Sequence, residues 1–266
     1  MAFELSPMPH PSYKKKFGQH HLTHGALCAP LIDFLRPEGQ RVVEIGPGGG
    51  VLTAELLRVG AQVVACEVDL EWAFELRRRL PSERLTILGL DALGFSWERF
   101  PAGTQAAGNL PFNVGTRLIE ELLPHHRTIP RAAFMLQKEV ADRLVASPKT
   151  KAYGALTVLV SSQAKVRYLG TVRPGSFRPP PKVSAAFVGL ELHPPPFDPS
   201  EYLAFRQLIH QAFGQRRKTL RNALSHSLGR EKTSDLLTAA GVDERLRAEA
   251  LHLEDFLRLH ETLRNL

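Results

Sequence analysis

The sequence predicts an α/β fold, an open and largely parallel sheet followed by a small C-terminal all-helical domain. Short β-branched segments alternate with amphipathic helical segments up to about residue 193, and the first of these strands ends in a glycine-rich turn. The run Pro194-Pro195-Pro196 interrupts this alternation, and helical apolar spacing follows it. We therefore predict two domains, residues 1–195 and residues 196–266.

The first predicted strand spans residues 41–45 and leads into a turn that contains Gly46, Gly48 and Gly50. Glycines allow unusual φ angles and let a ligand approach the backbone, while the following helix offers free N–H groups at its N-terminus. Apolar residues then recur on one helical face: Leu52, Leu56 and Leu57. This strand, turn and helix indicate a Rossmann-like sheet with a site for a nucleotide-like cofactor.

Polar side chains follow the next three predicted strands, which span residues 62–66, 85–88 and 104–108. They are Glu67 (with Val68 beside it), Asp91 and Asn109. Because ligands bind at the carboxyl ends of the strands in such sheets, we expect these residues to share one crevice with the glycine turn. There Glu67 could accept hydrogen bonds from two ribose hydroxyls, and Asp91 could hold the adenine amino group of a cofactor.

The remaining apolar segments complete the predicted architecture. Residues 134–136 predict a buried fifth strand, and residues 156–160 and 185–192 predict the last two strands. Beyond the prolines, apolar residues recur at helical spacing: Tyr202, Phe205, Leu208, Ile209 and Phe213. We interpret this last segment as a small helical domain.

The tetrapeptide Asn109-Leu110-Pro111-Phe112 can be read as a pocket for a planar amino group. The Asn109 side-chain oxygen and the Leu110 carbonyl could each accept one amino hydrogen, which favours a tetrahedral nitrogen as positive charge develops there. Pro111 stiffens the turn, and Phe112 offers a face for stacking an extruded base. With the glycine turn, these residues predict methyl transfer to the exocyclic nitrogen of a base.

A nicotinamide-dependent dehydrogenase is one alternative, because it also combines a glycine turn with a later acidic residue. Position 51 is Val, however, where the dinucleotide fingerprint has its third glycine, and no hydride-transfer constellation is evident. The spacing instead favours S-adenosylmethionine, whose sulfonium carries the methyl group and requires no metal.

Seven segments in one order carry a resemblance to the bacterial small-subunit ribosomal RNA adenine dimethyltransferases, the KsgA or RsmA family. The resemblance extends from about Lys14 to the C-terminal helices. It implies a class I methyltransferase that dimethylates two adjacent adenosines in the terminal helix of 16S rRNA, late in small-subunit assembly. The segments span residues 16–22, 43–48, 108–112, 134–140, 151–154, 177–183 and 215–222.

The resemblance also implies roles for individual residues. The cofactor contacts carried over are His20, Leu22, Gly46, Gly48, Glu67, Val68, Asp91 and Asn109. Phe177 would close over the target adenine opposite Phe112. Two positions depart from the family pattern, since His20 replaces the usual asparagine and Phe112 replaces the commoner tyrosine. Stacking survives the second change, but the hydroxyl is lost.

The charge balance suits a polyanionic partner, with 34 Lys+Arg against 27 Asp+Glu and a formal net charge of +7. Basic residues cluster at Lys14-Lys15-Lys16 and in a late helix at Arg216, Arg217, Lys218 and Arg221. We predict that the late cluster contacts RNA phosphates, which fix register and do not read the base sequence.

Two cysteines are too few for a disulfide framework and lack metal-ligand spacing, which fits a reducing cytoplasm. Residues 1–12 contain no long apolar stretch, so we expect neither a signal peptide nor a membrane span. His20, His21 and His24 are interpreted as loop residues at the cofactor mouth and not as zinc ligands. We expect a monomer that binds S-adenosylmethionine and no metal.

Two alternatives stay open beside methylation of the small subunit. One is a 23S rRNA adenine methyltransferase of the antibiotic-resistance type, which shares the fold and the cofactor residues. The segments 177–183 and 215–222 favour the 16S interpretation. The other is a ribosome-assembly factor that acts mainly by binding, a role that an intact cofactor site does not exclude.

Overall fold

The computed structural model describes residues 20–111, 114–215 and 217–266. The strands are β1 (His21–Leu22), β2 (Arg41–Ile45), β3 (Gln62–Cys66), β4 (Leu85–Leu88), β5 (Gln105–Asn109), β6 (Arg131–Gln137), β7 (Ala164–Val172), β8 (Phe177–Arg178) and β9 (Ala185–Leu192). The α-helices are α1 (Ala29–Leu35), α2 (Val51–Arg58), α3 (Leu70–Arg79), α4 (Gly115–Leu122), α5 (Lys138–Leu144), α6 (Ala155–Ser161), α7 (Tyr202–Phe213), α8 (Leu220–Leu228), α9 (Arg230–Ala239) and α10 (Leu253–Asn265).

Seven strands form one sheet in the order β4-β3-β2-β5-β6-β9-β7. The pairs among β4, β3, β2, β5 and β6 are all parallel, while β9 runs antiparallel to both β6 and β7. The two short strands β1 and β8 pair separately. The chain reverses its direction of winding at β2, so the crevice at the carboxyl ends of β2 and β5 is where a ligand is expected.

The inner strands β2, β5, β6 and β9 are buried on both faces, as is usual for the middle of such a sheet. Successive side chains of β2 alternate between two hydrophobic clusters, with Val43 and Ile45 in the first cluster and Val42 in the second. Helices α4 and α6 pack in the first cluster, and α1 and α2 pack in the second. The predicted α/β sheet is therefore confirmed.

One predicted strand is wrong. Residues 156–160 lie in helix α6, and the sheet strand of this region is β7 instead. The apolar run 155–160 shows no clear period, and such a run cannot be distinguished from a buried strand by sequence pattern alone. In the structure Leu156, Val158, Leu159 and Val160 are all buried in the first cluster, so α6 is covered around much of its circumference.

The predicted helical segment after the prolines is confirmed as α7 to α10. These helices share the first cluster with the sheet, since Phe205 and Phe256 lie in the same buried cluster as Val43. The division into residues 1–195 and 196–266 stays a prediction. Among the described residues, no helix has both the length and the apolar character needed to span a membrane.

Candidate active site

The turn after β2 contains three glycines with positive φ angles. Gly46 and Gly48 have φ angles of 65° and 48°, and Gly50 (φ 78°) is the N-cap of α2. Residues that carry a side chain rarely adopt these φ angles, so the turn requires glycine. The Gly48 backbone N–H donates to Glu67 Oε2 at 3.0 Å, which ties the turn to the end of β3.

Glu67 lies at the end of β3, where burial leaves it 5% exposed. Its second oxygen, Oε1, accepts a hydrogen bond from the Asp69 backbone N–H at 2.9 Å. Desolvation raises the pKa of Glu67, although these backbone hydrogen bonds act in the opposite direction. A carboxylate has about four acceptor positions, so both oxygens can still accept from a ligand hydroxyl.

Asp91 follows β4 on the same side of the sheet. It is exposed, and its Oδ1 accepts a hydrogen bond from the Leu93 backbone N–H at 2.9 Å. This bond holds the carboxylate in a turn at the edge of the crevice. The geometry is compatible with a second bond from the carboxylate to a ligand amino group.

Asn109 ends β5, and its side-chain orientation is determined by a carbonyl group. Its Nδ2 donates to the His20 backbone oxygen at 2.7 Å. Because a carbonyl can only accept, the amide nitrogen faces His20 and Oδ1 is left as the acceptor for another group. The next residue, Leu110, donates its N–H to Met135 O at 3.0 Å, so β6 supports the turn from below.

Pro111 connects this turn to helix α4. Its carbonyl accepts hydrogen bonds from the backbone N–H groups of Val114 (3.2 Å) and Gly115 (3.1 Å). The start of α4 therefore holds the turn in place. Phe112, the predicted stacking residue, lies outside the described residues.

His20 joins the reactive turn to the proline-rich segment. Its carbonyl accepts from Asn109, and its Nδ1 lies 2.7 Å from the Pro179 carbonyl, to which it must donate. Pairing of β1 with β8 places Leu22 opposite Phe177. Residues 20–22 of the segment 16–22 thus meet the segment 177–183 next to Asn109.

These residues surround a cavity of about 290 Å³. Eight of the predicted site residues line it: His20, Gly46, Gly48, Glu67, Val68, Asp91, Asn109 and Pro111. Leu22 does not line this cavity, but it borders a smaller one of about 20 Å³ that Asn109 also lines. The larger cavity is close to the lower limit of ordinary ligand sites, about 300 Å³.

Several lining residues were not predicted from the sequence. Apolar side chains supply most of them: Ile45, Leu90, Leu93, Val114 and Leu118. The thiol of Cys66 also faces this region, and burial raises its pKa to about 12, so it stays a neutral thiol. Cys66 could have been found from its position, since it is the last residue of β3 and directly precedes Glu67.

His21 was predicted as a loop residue at the cofactor mouth; the structure places it in β1 and in the wall of this cavity. Its ring packs edge-on against Trp72, with 4.4 Å between ring centroids. A Cβ built on Gly48 would lie 2.5 Å from His21 Nε2, so the ring fills the space that the glycine leaves open. Burial, with a smaller effect of His20, lowers the pKa of His21 to about 4, and the ring is therefore neutral at pH 7.

Glu44 lies within β2 beneath the glycine turn and is only 1% exposed. Its Oε2 has no hydrogen-bond partner, and the residue borders the 20 Å³ cavity. Burial raises the pKa of Glu44 to about 8, and the charge of Glu67 adds to the shift. Glu44 is therefore protonated at neutral pH.

Phe177 is buried beside β1 and does not contribute to the 290 Å³ cavity. Its ring is 3% exposed and belongs to the second hydrophobic cluster. A stacking role opposite Phe112 stays a prediction and would require the ring to leave this cluster.

The predicted RNA-binding residues are not all on a helix. Arg217 and Lys218 are exposed in the connection between α7 and α8, while Arg221 lies on α8. Arg216 lies outside the described residues. The Arg221 Nη1 contacts both carboxylate oxygens of Glu244, at 2.8 and 2.9 Å.

Within the described parts of the chain, no group of three or more His, Cys, Asp or Glu side chains could hold a metal ion. The donor set of the cavity could hold an organic cofactor. It combines two carboxylates at successive strand ends with a glycine turn and apolar walls.

Comparison with known proteins agrees with this geometry. Residues 11–265 match the model of the family "Ribosomal RNA adenine dimethylase". The chain is 41% identical over 256 residues to ribosomal RNA small subunit methyltransferase A of Acidithiobacillus ferrooxidans, covering 94% of each chain. It is also 41% identical over 263 residues to the protein of that name from Thermosynechococcus vestitus, covering 95% of this chain and 97% of the relative.

Two solved structures share the fold over almost the whole chain. A dimethyladenosine transferase from Plasmodium falciparum has a TM-score of 0.72 at 24% identity, covering 90% of this chain and 96% of its own. The 23S rRNA methyltransferase ErmE has a TM-score of 0.66 at 25% identity, covering 91% and 99%. By its match over residues 11–265, this chain belongs to the ribosomal RNA adenine dimethylase family of methyltransferases.

Proposed function

We propose that this enzyme dimethylates the N6 amino groups of two adjacent adenosines near the 3′ end of 16S rRNA, with S-adenosylmethionine as the methyl donor. The single observation that supports the chemistry most directly is the orientation of Asn109. His20 accepts from the amide nitrogen, so Oδ1 is left to accept from a target amino group.

The cavity residues fit S-adenosylmethionine. Glu67 would hold the ribose hydroxyls, Asp91 would hold the adenine amino group, and the turn at Gly46 and Gly48 would lie against the amino-acid portion. His20, Val68 and Asn109 complete the cavity wall. When bound, S-adenosylmethionine supplies an electrophilic methyl group on its sulfonium.

The residues of this chain then act on the target adenine. Asn109 Oδ1 and the Leu110 carbonyl accept its two amino hydrogens, so the nitrogen lone pair is turned toward the cofactor and the developing positive charge is stabilised. Pro111, whose carbonyl joins the turn to α4, keeps these acceptors in position. Phe112 is proposed to stack on the extruded base, with Phe177 as the predicted second face.

The amino proton leaves to solvent or to a backbone acceptor, because the buried acids in and beneath this site, Cys66 and Glu44, already hold their own protons at neutral pH. Glu44 is protonated at neutral pH, and the Cys66 thiol has a pKa of about 12. The site thus acts by positioning and by hydrogen bonding, not through a side-chain general base.

The small subunit is favoured over the large subunit by the relatives. The two relatives described above carry the name small subunit methyltransferase A at 41% identity, whereas ErmE, named for 23S rRNA, shares 25%. We propose that the substrate is 16S rRNA in an immature small subunit, and that the protein acts on it as a monomer in the cytoplasm. Both described cysteines are free buried thiols, which agrees with this compartment.

The decisive experiment measures transfer of labelled methyl groups to 30S subunits that lack these modifications, followed by mapping of the labelled nucleotides. We expect label on two adjacent adenosines near the 3′ end of 16S rRNA. Label on 23S rRNA would support the resistance-type alternative. Absence of label on both, with cofactor binding intact, would favour an assembly factor that acts by binding.

A further inference from the structure

The imidazole of His20 makes a contact that the proposed chemistry does not use. Its Nδ1 lies 2.7 Å from the Pro179 carbonyl oxygen, which can only accept, so Nδ1 is the donor. Pro179 belongs to the segment 177–183, which begins with strand β8. A side chain at the start of the described chain thus holds a segment that lies 159 positions further on.

The backbone is held on both sides of Phe177. Before Phe177, the Ser176 carbonyl accepts hydrogen bonds from the Thr23 backbone N–H at 3.0 Å and from Thr23 Oγ1 at 3.1 Å. After it, the Pro179 carbonyl accepts from His20. Between these two contacts, strand β8 pairs with strand β1. The segment is therefore fixed relative to β1 from both directions.

These contacts supply a link that the main sheet does not. Asn109 ends β5 in the seven-stranded sheet, whereas β8 pairs with β1 in a separate sheet of two strands. The hydrogen-bond ladder that places Asn109 therefore does not place the segment 177–183. Residues 20–23 join the two, since the His20 carbonyl accepts from Asn109 and the His20 imidazole donates to Pro179.

His20 and Thr23 differ in what else they contact. Thr23 is not among the described residues that line the two cavities beside Asn109. His20 lines the 290 Å³ cavity and also holds the Asn109 amide. His20 is thus the residue of this strap that contacts the cofactor cavity, the reactive turn and the segment of Phe177 together.

We propose that His20 is a positioning residue for the target base, because its imidazole fixes the segment 177–183, through Pro179, relative to Asn109. It acts through the segment that it holds and takes no part in proton transfer. This inference rests on the proposed function, since it takes the segment to be a wall of the base pocket. It gives the His20 side chain a role beside the cofactor contact that the resemblance implies.

The geometry also predicts which replacements keep this role. The required feature is a donor nitrogen bonded to Cγ, where histidine carries Nδ1. Asparagine carries its amide nitrogen on the same carbon, whereas phenylalanine has a planar ring without a donor. His20→Asn should therefore preserve the hydrogen bond to Pro179, and His20→Phe should remove it while still filling the space of the ring.

The test compares His20→Phe and His20→Asn with a matched control, Thr23→Val. The control removes the hydroxyl contact with Ser176 between the same two segments and keeps the shape of the side chain. Single-turnover methyl transfer to undermethylated 30S subunits is measured at limiting and at saturating S-adenosylmethionine. Amide hydrogen exchange of residues 176–184 is measured on the same full-length proteins without RNA.

We expect His20→Phe to lower the maximal rate of methyl transfer about 10-fold at saturating cofactor, because a small displacement of a reactant is costly. The half-saturating concentration of subunits should change less than about 2-fold. Amide exchange of residues 176–184 should become about 3- to 10-fold faster, the range for one net hydrogen bond.

His20→Asn should bring the rate and the exchange back to within about 2-fold of wild type, since it restores the donor. Thr23→Val should also stay within about 2-fold, because the Thr23 backbone N–H still donates to Ser176.

Unchanged amide exchange in His20→Phe would overturn the proposal, because the segment would then be held without the imidazole. Equal rate losses in His20→Phe and Thr23→Val would also overturn it, since a general loosening of β1 and β8 would explain both. A loss that disappears at saturating cofactor would mean that His20 acts only through cofactor affinity. If wild type methylates no 16S rRNA but exchange rises in His20→Phe, the proposed function fails while His20 is still shown to hold the segment.

Discussion

The side-chain amide of Asn109 donates to the backbone carbonyl of His20 at 2.7 Å. This single bond joins the end of β5 to the residue that precedes β1, and it orients the amide so that Oδ1 is the free acceptor. The contact uses the backbone of His20, so it does not depend on the asparagine that the family usually has at this position. The imidazole makes a separate contact with the Pro179 carbonyl.

Asn109→Ala should abolish most methyl transfer, because it removes one of the two acceptors for the target amino group. We expect kcat to fall about 100-fold or more, as for loss of a preorganised hydrogen-bonding group in other enzymes. RNA binding should change less than about 2-fold. Single-turnover methyl transfer and RNA binding measured on the same preparation would check this, with Asn265→Ala at the exposed end of α10 as control. Unchanged turnover would contradict the assigned role.

Gly48→Ala should weaken cofactor binding. The alanine Cβ would lie 2.5 Å from His21 Nε2, and the φ of 48° is unfavourable for any side chain by about 1 kcal/mol. We expect the Kd for S-adenosylmethionine to rise about 10-fold or more by calorimetry. Gly103→Ala is the matched control, because its φ is 86° but a Cβ there meets nothing within 4 Å. An equal rise in the Kd for S-adenosylmethionine in both variants would show that backbone strain, and not the contact with His21, causes the loss.

Glu44→Gln should alter how stability depends on pH. The pKa of Glu44 is about 8 in the folded state against about 4.5 unfolded, so the unfolded state loses its proton first as pH rises. Wild type therefore loses stability between about pH 4.5 and pH 8, and the neutral amide does not.

Urea unfolding at pH 5 and pH 8 would measure this difference. We expect the stability of Glu44→Gln relative to wild type to improve by about 2 kcal/mol or more between the two pH values. Glu38→Gln, an exposed site, is the control. The same relative stability at both pH values would contradict a protonated Glu44.

Glu120→Ala should loosen the contact between α4 and α7. Glu120 is 5% exposed, and its Oε2 lies 3.0 Å from Arg206 Nε and 3.4 Å from His210 Nε2. Burial acts to raise the pKa of Glu120, but the hydrogen bond and charge of His210, together with Arg206, outweigh it and lower the pKa. The stabilisation is therefore present above about pH 4 and is lost as pH falls further.

We expect Glu120→Ala to cost about 2 kcal/mol of unfolding free energy at pH 7, because Arg206 and His210 lose the buried carboxylate that contacts both side chains. Glu121→Ala, on the same helix, removes an exposed pair with Arg117 and should cost less than about 1 kcal/mol. Denaturant unfolding of both variants at pH 7 and pH 4 would check this. If wild type and Glu120→Ala differ as much in unfolding free energy at pH 4 as at pH 7, the ionised Glu120 carboxylate is not the source of the stabilisation.

Much of the site could be predicted because it depends on local rules. Strands of a parallel sheet end at one edge, so Glu67, Asp91 and Asn109 could be placed together from their positions after three strands. The tight turn after β2 could be predicted equally well, since the positive φ angles at Gly46 and Gly48 favour glycine. These features depend on chain direction and backbone sterics, which short segments of sequence already specify.

The sequence by itself thus determined the parallel sheet, the glycine turn and the acceptors at its carboxyl edge. Only the tertiary structure decided that residues 156–160 are helical, that the Phe177 ring is buried, and that His21 fills the space above Gly48. It also decided that Arg221 is paired with Glu244. These outcomes depend on which distant groups pack together, and neither burial nor the partner of a charge can be read from local spacing.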